Sequence, residues 1–359
     1  MTALGLMSGT SMDGMDVGVV ETDGESVVRT GAGMTVPYPD KLARELFQLL
    51  EKPERAADDG LTDLEQAVTD AHCDAVIGFL QATGIKPADI DVIGFHGQTV
   101  LHRPERRFTR QLGLGQRMAD RLRLPVVNRF RHADVAAGGE GAPFVPVFHQ
   151  ALAAGLSKPL AILNLGGVGN VTYLSGNGVS AFDTGPAGAL IDDTMRRRFG
   201  RSFDEGGAVA ARGTVNRELV DAFLADPFFT RPPPKSLDRN TFHRWGKPLE
   251  NLSPEDAVAT ATAFTLESVA AALNYMPESP NRWLVTGGGR RNDTLLRALG
   301  RRLGVNVAGV ETVGWNGDFM EAHAFGYLAV RHLRGLPLSF PETTGVPRPM
   351  PGGVSYKPR

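Results

Sequence analysis

Strand, glycine-rich turn, strand is written twice along this chain, and that repetition constrains the fold more than any other feature. Near the start, apolar residues around Leu4-Gly5-Leu6 lead through Met7-Ser8-Gly9-Thr10-Ser11-Met12-Asp13-Gly14-Met15-Asp16 to Val17-Gly18-Val19-Val20. Apolar runs flanking a turn of Gly, Ser, Thr and Asp predict a β-hairpin. The same order returns where Leu160–Leu165 meets Gly166-Gly167-Val168-Gly169-Asn170 and continues into residues 171–174. No residue-level repeat accompanies it, so the duplication predicted is one of architecture. At 359 residues the chain also exceeds the ~250–300 at which one core stops growing. Two lobes are therefore expected, residues 1–130 and 131–359, with the last residues able to pack back on the first.

The segments between these turns alternate. Helical patterns are predicted over Asp40–Leu50, 61–82, 189–199, 254–273 and 321–333, and buried strands over 90–95, 125–127 and 282–285. The proline-rich pieces 231–235 and 337–351 read as surface loops, since proline has no N–H for a ladder or a helix. The fold class expected is α/β.

Composition narrows the chemistry. The chain holds 43 glycines, well above the ~7% average, and they follow no three-residue period, which excludes a collagen-like chain. With 38 basic and 40 acidic residues there is no general attraction to nucleic acid. A single cysteine, Cys73, allows no internal disulfide, and no Cys/His spacing fits zinc. His96 and His102 lack the i, i+4 spacing of a helical metal pair. No lysine or arginine precedes Arg29 and no run of ~18 residues is apolar throughout, so a cytoplasmic protein without membrane insertion is expected.

Glycine-rich turns can offer runs of backbone N–H groups to phosphates, because the chain approaches the ligand closely. Three turns here fit: 9–16, 166–170 and Gly287-Gly288-Gly289. The first adds the Ser8, Thr10 and Ser11 hydroxyls as donors and two carboxylates, Asp13 and Asp16, that could orient hydrated Mg2+. An ordinary Asp-Gly hairpin explains the same residues equally well. No GxxxxGK[ST] is present and Gly113-Leu114-Gly115 lacks the third dinucleotide glycine, so neither a P-loop nor a Rossmann site is expected.

The stretch Gly5-Leu6-Met7-Ser8-Gly9-Thr10-Ser11-Met12-Asp13-Gly14-Met15-Asp16 closely resembles the N-terminal signature of the anhydro-N-acetylmuramic acid kinases, within the sugar kinase, Hsp70 and actin superfamily. The resemblance continues through His96-Gly97-Gln98-Thr99-Val100, Asp134-Val135-Ala136-Ala137-Gly138-Gly139-Glu140-Gly141-Ala142-Pro143 and Leu163-Asn164-Leu165-Gly166-Gly167. It extends over Phe182-Asp183-Thr184-Gly185-Pro186, Pro234-Lys235-Ser236, Gly287-Gly288-Gly289 and Met320-Glu321-Ala322. It implies a two-lobed actin-like ATPase fold with a central interlobe cleft. It also implies ATP- and Mg2+-dependent phosphorylation of 1,6-anhydro-N-acetylmuramic acid with hydrolytic ring opening, and a homodimer.

Residue by residue, the resemblance assigns nucleotide binding to Gly9, Thr10, Ser11, Met12, Asp13, Gly14, Met15, Asp16, Gly166, Gly167, Gly287, Gly288 and Gly289. Asp183 matches the general base, although an Asp before Gly-Pro is also a common turn or helix cap. Glu321 matches a glutamate near the sugar and attacking water, where a dipole partner at a helix start is the plainer reading. Arg131, Gln98 and Thr99 match sugar-side positions that could equally be solvated or strand-end polar residues. Five positions leave the pattern: Leu114, Arg129, Glu140, Ala187 and Gly188. They raise the expectation of a pocket retuned toward a related 1,6-anhydro sugar such as levoglucosan, or of lower efficiency. A non-enzymatic nucleotide-gated clamp is the rival from another class, since the superfamily includes chaperones and filaments.

Overall fold

A computed structural model of the protein describes residues 1–9, 14–50, 55–56, 59–237 and 239–359. Packing divides it into two compact units, Met1–Gly155 with Phe319–Arg359, and Leu156–Asp318. The first is built from β1 (Thr2–Ser8), β2 (Met15–Thr22), β3 (Val28–Val36), β4 (Val92–Arg103), β5 (Phe108–Leu112) and β6 (Val126–Asn128). Its helices are α1 (Asp40–Leu50), α2 (Thr62–Thr83), α3 (Gly115–Leu122), α4 (His132–Ala136) and α5 (Pro146–Leu152). The second holds β7 (Leu160–Leu165), β8 (Val168–Ser175), β9 (Gly178–Pro186), β10 (Arg282–Thr286) and β11 (Asn306–Gly309). Its helices are α6 (Gly188–Phe199), α7 (Arg217–Leu224), α8 (Pro227–Thr230), α9 (Gly246–Leu249), α10 (Pro254–Ala272) and α11 (Asp293–Leu303). The chain then returns to the first unit through α12 (Met320–Leu333), α13 (Pro341–Thr344) and β12 (Val354–Tyr356).

Each unit carries one mixed sheet, and the two sheets share a path. In the first, β1, β2 and β3 form an antiparallel meander, β4 runs parallel to β1 and β6 parallel to β4. In the second, β7, β8 and β9 form the meander, with β10 parallel to β7 and β11 parallel to β10. Spatial order is β3-β2-β1-β4-β6 in one and β9-β8-β7-β10-β11 in the other, with β5 and β12 added to the first. The central parallel strands are buried on both faces and so read as continuous apolar runs, Leu160-Ala161-Ile162-Leu163 being wholly inaccessible.

The packing boundaries lie at 155/156 and 318/319, whereas a single break at 130/131 was expected. α4 and α5 follow β6 without leaving the first unit, and α12 packs across β1, β2 and β4. The proline-rich segments are not simply surface loops. Lys235 is buried at the end of one; Leu338, Ser339, Thr343, Thr344 and Val346 are buried in the other. Met350 pairs with Leu338 and Ser339, and Thr344 donates to Asp134, which draws that second segment inward. β3 and β5 have no counterpart among the strands expected from the sequence, although turn residues flank both.

α12 lies on the first sheet with main chain against main chain. A Cβ on Gly5 would stand 1.7 Å from the Ala322 carbonyl oxygen, and one on Gly94 2.0 Å from that of Phe325. From the helix side, a Cβ on Gly326 would stand 2.8 Å from Val20 Cγ1. Because these neighbours are backbone or packed core, they cannot yield cheaply. Gly94→Ala is expected to destabilise the protein by about 3 kcal/mol in urea unfolding. Gly176→Ala, where a Cβ meets nothing within 4 Å, is expected to stay within about 0.5 kcal/mol of wild type.

Candidate functional site

The first glycine-rich turn joins β1 to β2. Thr10, Ser11, Met12 and Asp13 lie outside the described residues; Gly9, Gly14, Met15 and Asp16 are described. A register slip between Leu6 and Ser8 sets Ser8 opposite Gln98 of β4. The Gln98 amide Nε2 donates to the Gly9 carbonyl at 3.1 Å, while its Oε1 accepts from the Tyr38 hydroxyl at 3.1 Å. Gln98 is fully buried, so its observed contacts secure the edge of the turn. Thr99, the next residue, is half-buried and sits opposite Gln111 of β5. Met15 buries its side chain in the apolar core, whereas half-buried Asp16 accepts from the Thr35 hydroxyl at 2.6 Å.

Beside this turn stands a polar group built from three loops and a helix. Arg131 donates from Nε to His96 Nε2 at 3.0 Å and from Nη1 to the Gly141 carbonyl at 2.6 Å, and its guanidinium lies 5.8 Å from the Phe144 ring centre. His96 Nδ1 reaches the Gly97 carbonyl at 2.7 Å; these partners assign a neutral imidazole protonated at Nδ1. Burial, and secondarily the Arg131 charge, hold His96 well below the usual imidazole range. With both ring nitrogens engaged, His96 has no lone pair for a metal, and His102 is engaged at both as well, with Thr109 and the Glu140 carbonyl. Among the described residues no three His, Cys, Asp or Glu side chains gather as a metal cluster.

Glu321, half-buried, sits in the first turn of α12. Burial raises its carboxyl above the usual range, Arg131 opposes that rise and Asp16 adds to it. Asp16, Arg131 and Glu321, drawn from β2, the start of α4 and the start of α12, thus share one electrostatic neighbourhood within the first unit.

The second unit presents its own turns. Asp183 on β9 is buried; its Oδ2 accepts from the Leu237 N–H at 2.7 Å and its own N–H donates to the Lys235 carbonyl at 3.0 Å. At the β7–β8 turn, the Gly166 and Gly167 carbonyls accept from Ala187, Gly188 and Ala189 N–H groups at 2.8–3.2 Å, so this turn caps α6. A Cβ on Gly166 or Gly167 would meet protein only at ordinary contact, 3.7 Å. In the third turn, Gly287 has φ +75 and, like Gly289, is pressed against Leu165, but a Cβ on Gly288 would meet nothing within 4 Å. The fold therefore requires Gly287 and Gly289, while Gly166, Gly167 and Gly288 leave room that a ligand can occupy.

Three supporting residues had no role assigned from the sequence. Buried Asp134 accepts from the Gly141 N–H at 2.7 Å and the Thr344 hydroxyl at 2.6 Å, setting the 138–141 loop. Arg290 bridges Glu311 and Asp318, each at 2.7 Å, and donates to the Gly287 carbonyl at 3.0 Å, fixing the triple-glycine turn. Lys235 is the third. Asp134 and Arg290 lie beside glycine motifs, whereas Lys235 sits at the end of the proline-rich 231–235 segment.

Most of the departures in sequence fall where main-chain atoms make the contacts. Exposed Arg129 has φ +56, and the Leu114 N–H donates to Thr69. The Glu140 N–H donates to the Thr344 carbonyl and its carbonyl accepts from His102. Ala187 and Gly188 both donate to the β7–β8 turn.

The family model for anhydro-N-acetylmuramic acid kinase matches residues 1–358. The curated anhydro-N-acetylmuramic acid kinase of Paramagnetospirillum magneticum is 52% identical over 360 residues, with 100% of both chains covered. That of Azorhizobium caulinodans is 51% identical, again with 100% of both chains covered. Among solved structures, the ADPNP-bound activator of 2-hydroxyisocaproyl-CoA dehydratase from Clostridium difficile aligns with TM-score 0.47 at 14% identity, covering 93% of this chain and 96% of that one. A ROK family glucokinase from Streptomyces griseus, in complex with glucose and AMPPNP, aligns with TM-score 0.44 at 14% identity, covering 91% and 99%. Among the described residues no helix is long and apolar enough to cross a membrane.

The buried imidazoles generate a pH prediction. Burial pushes His72 and His323 down to about 4 and His149 to about 3, and His96 is depressed as well. The unfolded chain binds these protons near pH 6.5 while the native state refuses them, so stability is complete above that pH and is lost as pH falls toward 4. Each histidine contributes a slope approaching about 1.4 kcal/mol per pH unit. Urea midpoints measured from pH 7 to 5 are expected to fall steeply, and His72→Leu to make that fall shallower by one proton.

Proposed function

The chain belongs to the anhydro-N-acetylmuramic acid kinase family, and on that premise we propose that it phosphorylates O6 of 1,6-anhydro-N-acetylmuramic acid with ATP while water opens the anhydro ring. The product is N-acetylmuramic acid 6-phosphate, an intermediate of peptidoglycan recycling. The observation that carries this reading is a family match running the length of the chain, with relatives about half identical over their own full length.

In the proposed step, water attacks C1 and gives up a proton, the C1–O6 bond breaks, and O6 takes the γ-phosphoryl group as ADP leaves. No free alkoxide accumulates. Asp183 is assigned as the base that receives the proton. A fixed carboxylate suits that role, and Asp183 is fixed by the Leu237 N–H on one oxygen and by its own N–H on Lys235. Glu321 and Arg131 are assigned to the sugar and attacking water; burial raises the Glu321 carboxyl and the Arg131 charge partly opposes that rise.

The turns at Gly166, Gly167 and Gly288 are assigned to the nucleotide, since the fold itself has no need of glycine at those points. Phosphoryl transfer calls for positioning and charge neutralisation rather than covalent participation of the protein. Mg2+ bound with ATP phosphates takes one or two carboxylates and keeps its waters, a demand that Asp16 fits without a three-ligand cluster. Bound there, the ion would neutralise phosphate charge.

Asp183→Asn is expected to retain ATP binding by calorimetry and to lose sugar-6-phosphate formation by at least about 100-fold. Turnover at the wild-type rate would exclude Asp183 as the base. Gly288→Val is expected to weaken ATP binding at least about tenfold with an unchanged melting temperature, because its Cβ enters space that no protein atom fills. Mass spectrometry of products formed in 18O water, from the muramic acid derivative and from levoglucosan separately, tests the reaction and the sugar together. Label at C1 with phosphate on O6, from the muramic acid derivative alone, is the expected result.

A further inference from the structure

We propose that Lys235 is a positioning residue for Asp183: its ammonium, seated in a box of aromatic rings, anchors the 235–237 segment that holds the Asp183 carboxylate. The proposal rests on the reading of Asp183 as the base and assigns a residue that acts through it.

Lys235 is only 3% exposed. Its Nζ donates to the Phe228 carbonyl at 3.0 Å and lies 4.4 Å from the Phe228 ring centre, 4.5 Å from that of Tyr275 and 5.9 Å from that of Phe182. Ring faces attract a cation electrostatically, most strongly where water is excluded. Tyr275 is itself fixed, donating to the Phe229 carbonyl at 2.7 Å. Phe182, the weakest of the three ring contacts, immediately precedes Asp183.

Two main-chain contacts complete the linkage. The Lys235 carbonyl accepts from the Asp183 N–H at 3.0 Å, and the Leu237 N–H donates to Asp183 Oδ2 at 2.7 Å. One three-residue segment thus holds Asp183 at its backbone and at its side chain, and the Lys235 side chain is that segment's anchor. Among the described residues Lys235 makes no ion pair within 4 Å with a carboxylate. A methionine would fill an aromatic box without the cost of desolvating a charge, so an ammonium kept here calls for an electrostatic role.

The charged and titratable groups acting on it are Asp183 on β9, Arg231 in the preceding loop and the Tyr275 hydroxyl group beyond α10. Burial and Arg231 push Lys235 down to about 8, and Asp183 opposes them. Above that pH the anchor loses its charge and its cation–ring attraction together.

The test compares wild type, Lys235→Met, Lys235→Gln and Asp183→Asn by steady-state kinetics from pH 6.5 to 9.5, with melting temperatures alongside. Wild-type kcat is expected to fall above about pH 8. Lys235→Met is expected to lower kcat at pH 7 about 100-fold, with KM for ATP and sugar within about twofold and the alkaline fall gone. Lys235→Gln, which keeps a donor for the Phe228 carbonyl but no charge, is expected to behave in the same way and serves if the methionine variant does not fold. Wild-type kinetics in either variant, an alkaline fall that persists in a folded variant, or kcat loss only in step with loss of folded protein would overturn the proposal. An active Asp183→Asn instead removes the base reading on which it rests, so the two failures are distinct.

Discussion

Everything in the first unit depends on one close approach, that of the α12 backbone to the bare glycines of β1 and β4. A helix normally rests on a sheet through side chains. Here Gly5 and Gly94 remove that spacer, and the carbonyls of Ala322 and Phe325 occupy the space where Cβ atoms would be. Gly18 gives similar room to the His323 ring. At the far end of the helix, Arg331 donates to the Gly24 and Pro337 carbonyls and Tyr327 donates to that of Glu25. A segment more than 300 residues along the chain is thereby locked to the β2–β3 turn, and its N-terminal turn brings Glu321 into the field of Arg131 and Asp16.

A second regularity runs through both units: polar side chains near the candidate sites hold main chain. Gln98 holds the Gly9 carbonyl, Asp134 the Gly141 N–H, Arg290 the Gly287 carbonyl, and the Lys235 segment holds Asp183. Phosphate recognition by backbone N–H groups needs loops that are already in place when the ligand arrives, since ordering them on binding would weaken it. The side chains that look like ligand contacts by type are thus often the supports behind the contacts. Met15 makes the same point in the apolar core, where its side chain secures the turn's exit strand.

This explains what could and could not be read from the sequence. Gly-rich turns between apolar runs are local signals, so the two hairpins and the architectural likeness of the two units were legible, as was the place of Asp183 at a strand end and of Glu321 at a helix start. The chain's return to the first unit was expected for the last residues, but not the point at Phe319 where it begins, because that is set by glycines at 5 and 94 meeting residues 322–326, and no local pattern records a pairing across that distance. The proline-rich segments misled for a related reason. Proline forbids regular hydrogen bonding but not burial, and Lys235 and Thr344 are drawn inward by the Phe228 carbonyl and the Asp134 carboxylate. Lys235 carried a resemblance and no visible chemistry until its aromatic box could be seen.

The same division between main chain and side chain bears on the residues that depart from the family pattern. At Ala187 and Gly188 the observed contacts are made by N–H groups, which every residue but proline supplies. Gly188 even suits the crowding it meets, for a Cβ there would stand 3.0 Å from the Gly166 carbonyl oxygen that its own N–H must reach. At Arg129 the backbone is left-handed, a conformation that Asn and Asp adopt more readily than Arg, so that departure costs local strain at an exposed point. Selectivity for the sugar is then better sought in groups whose side chains define charge and shape. Of the residues assigned to the sugar, those in the first unit are Arg131, held from two sides by His96 and the Gly141 carbonyl, and Glu321, whose carboxyl burial raises and Arg131 partly restrains. Under the proposed assignment of Arg131 to the sugar, the neutral imidazole of His96 and the Gly141 carbonyl together hold the guanidinium in one orientation before any ligand arrives.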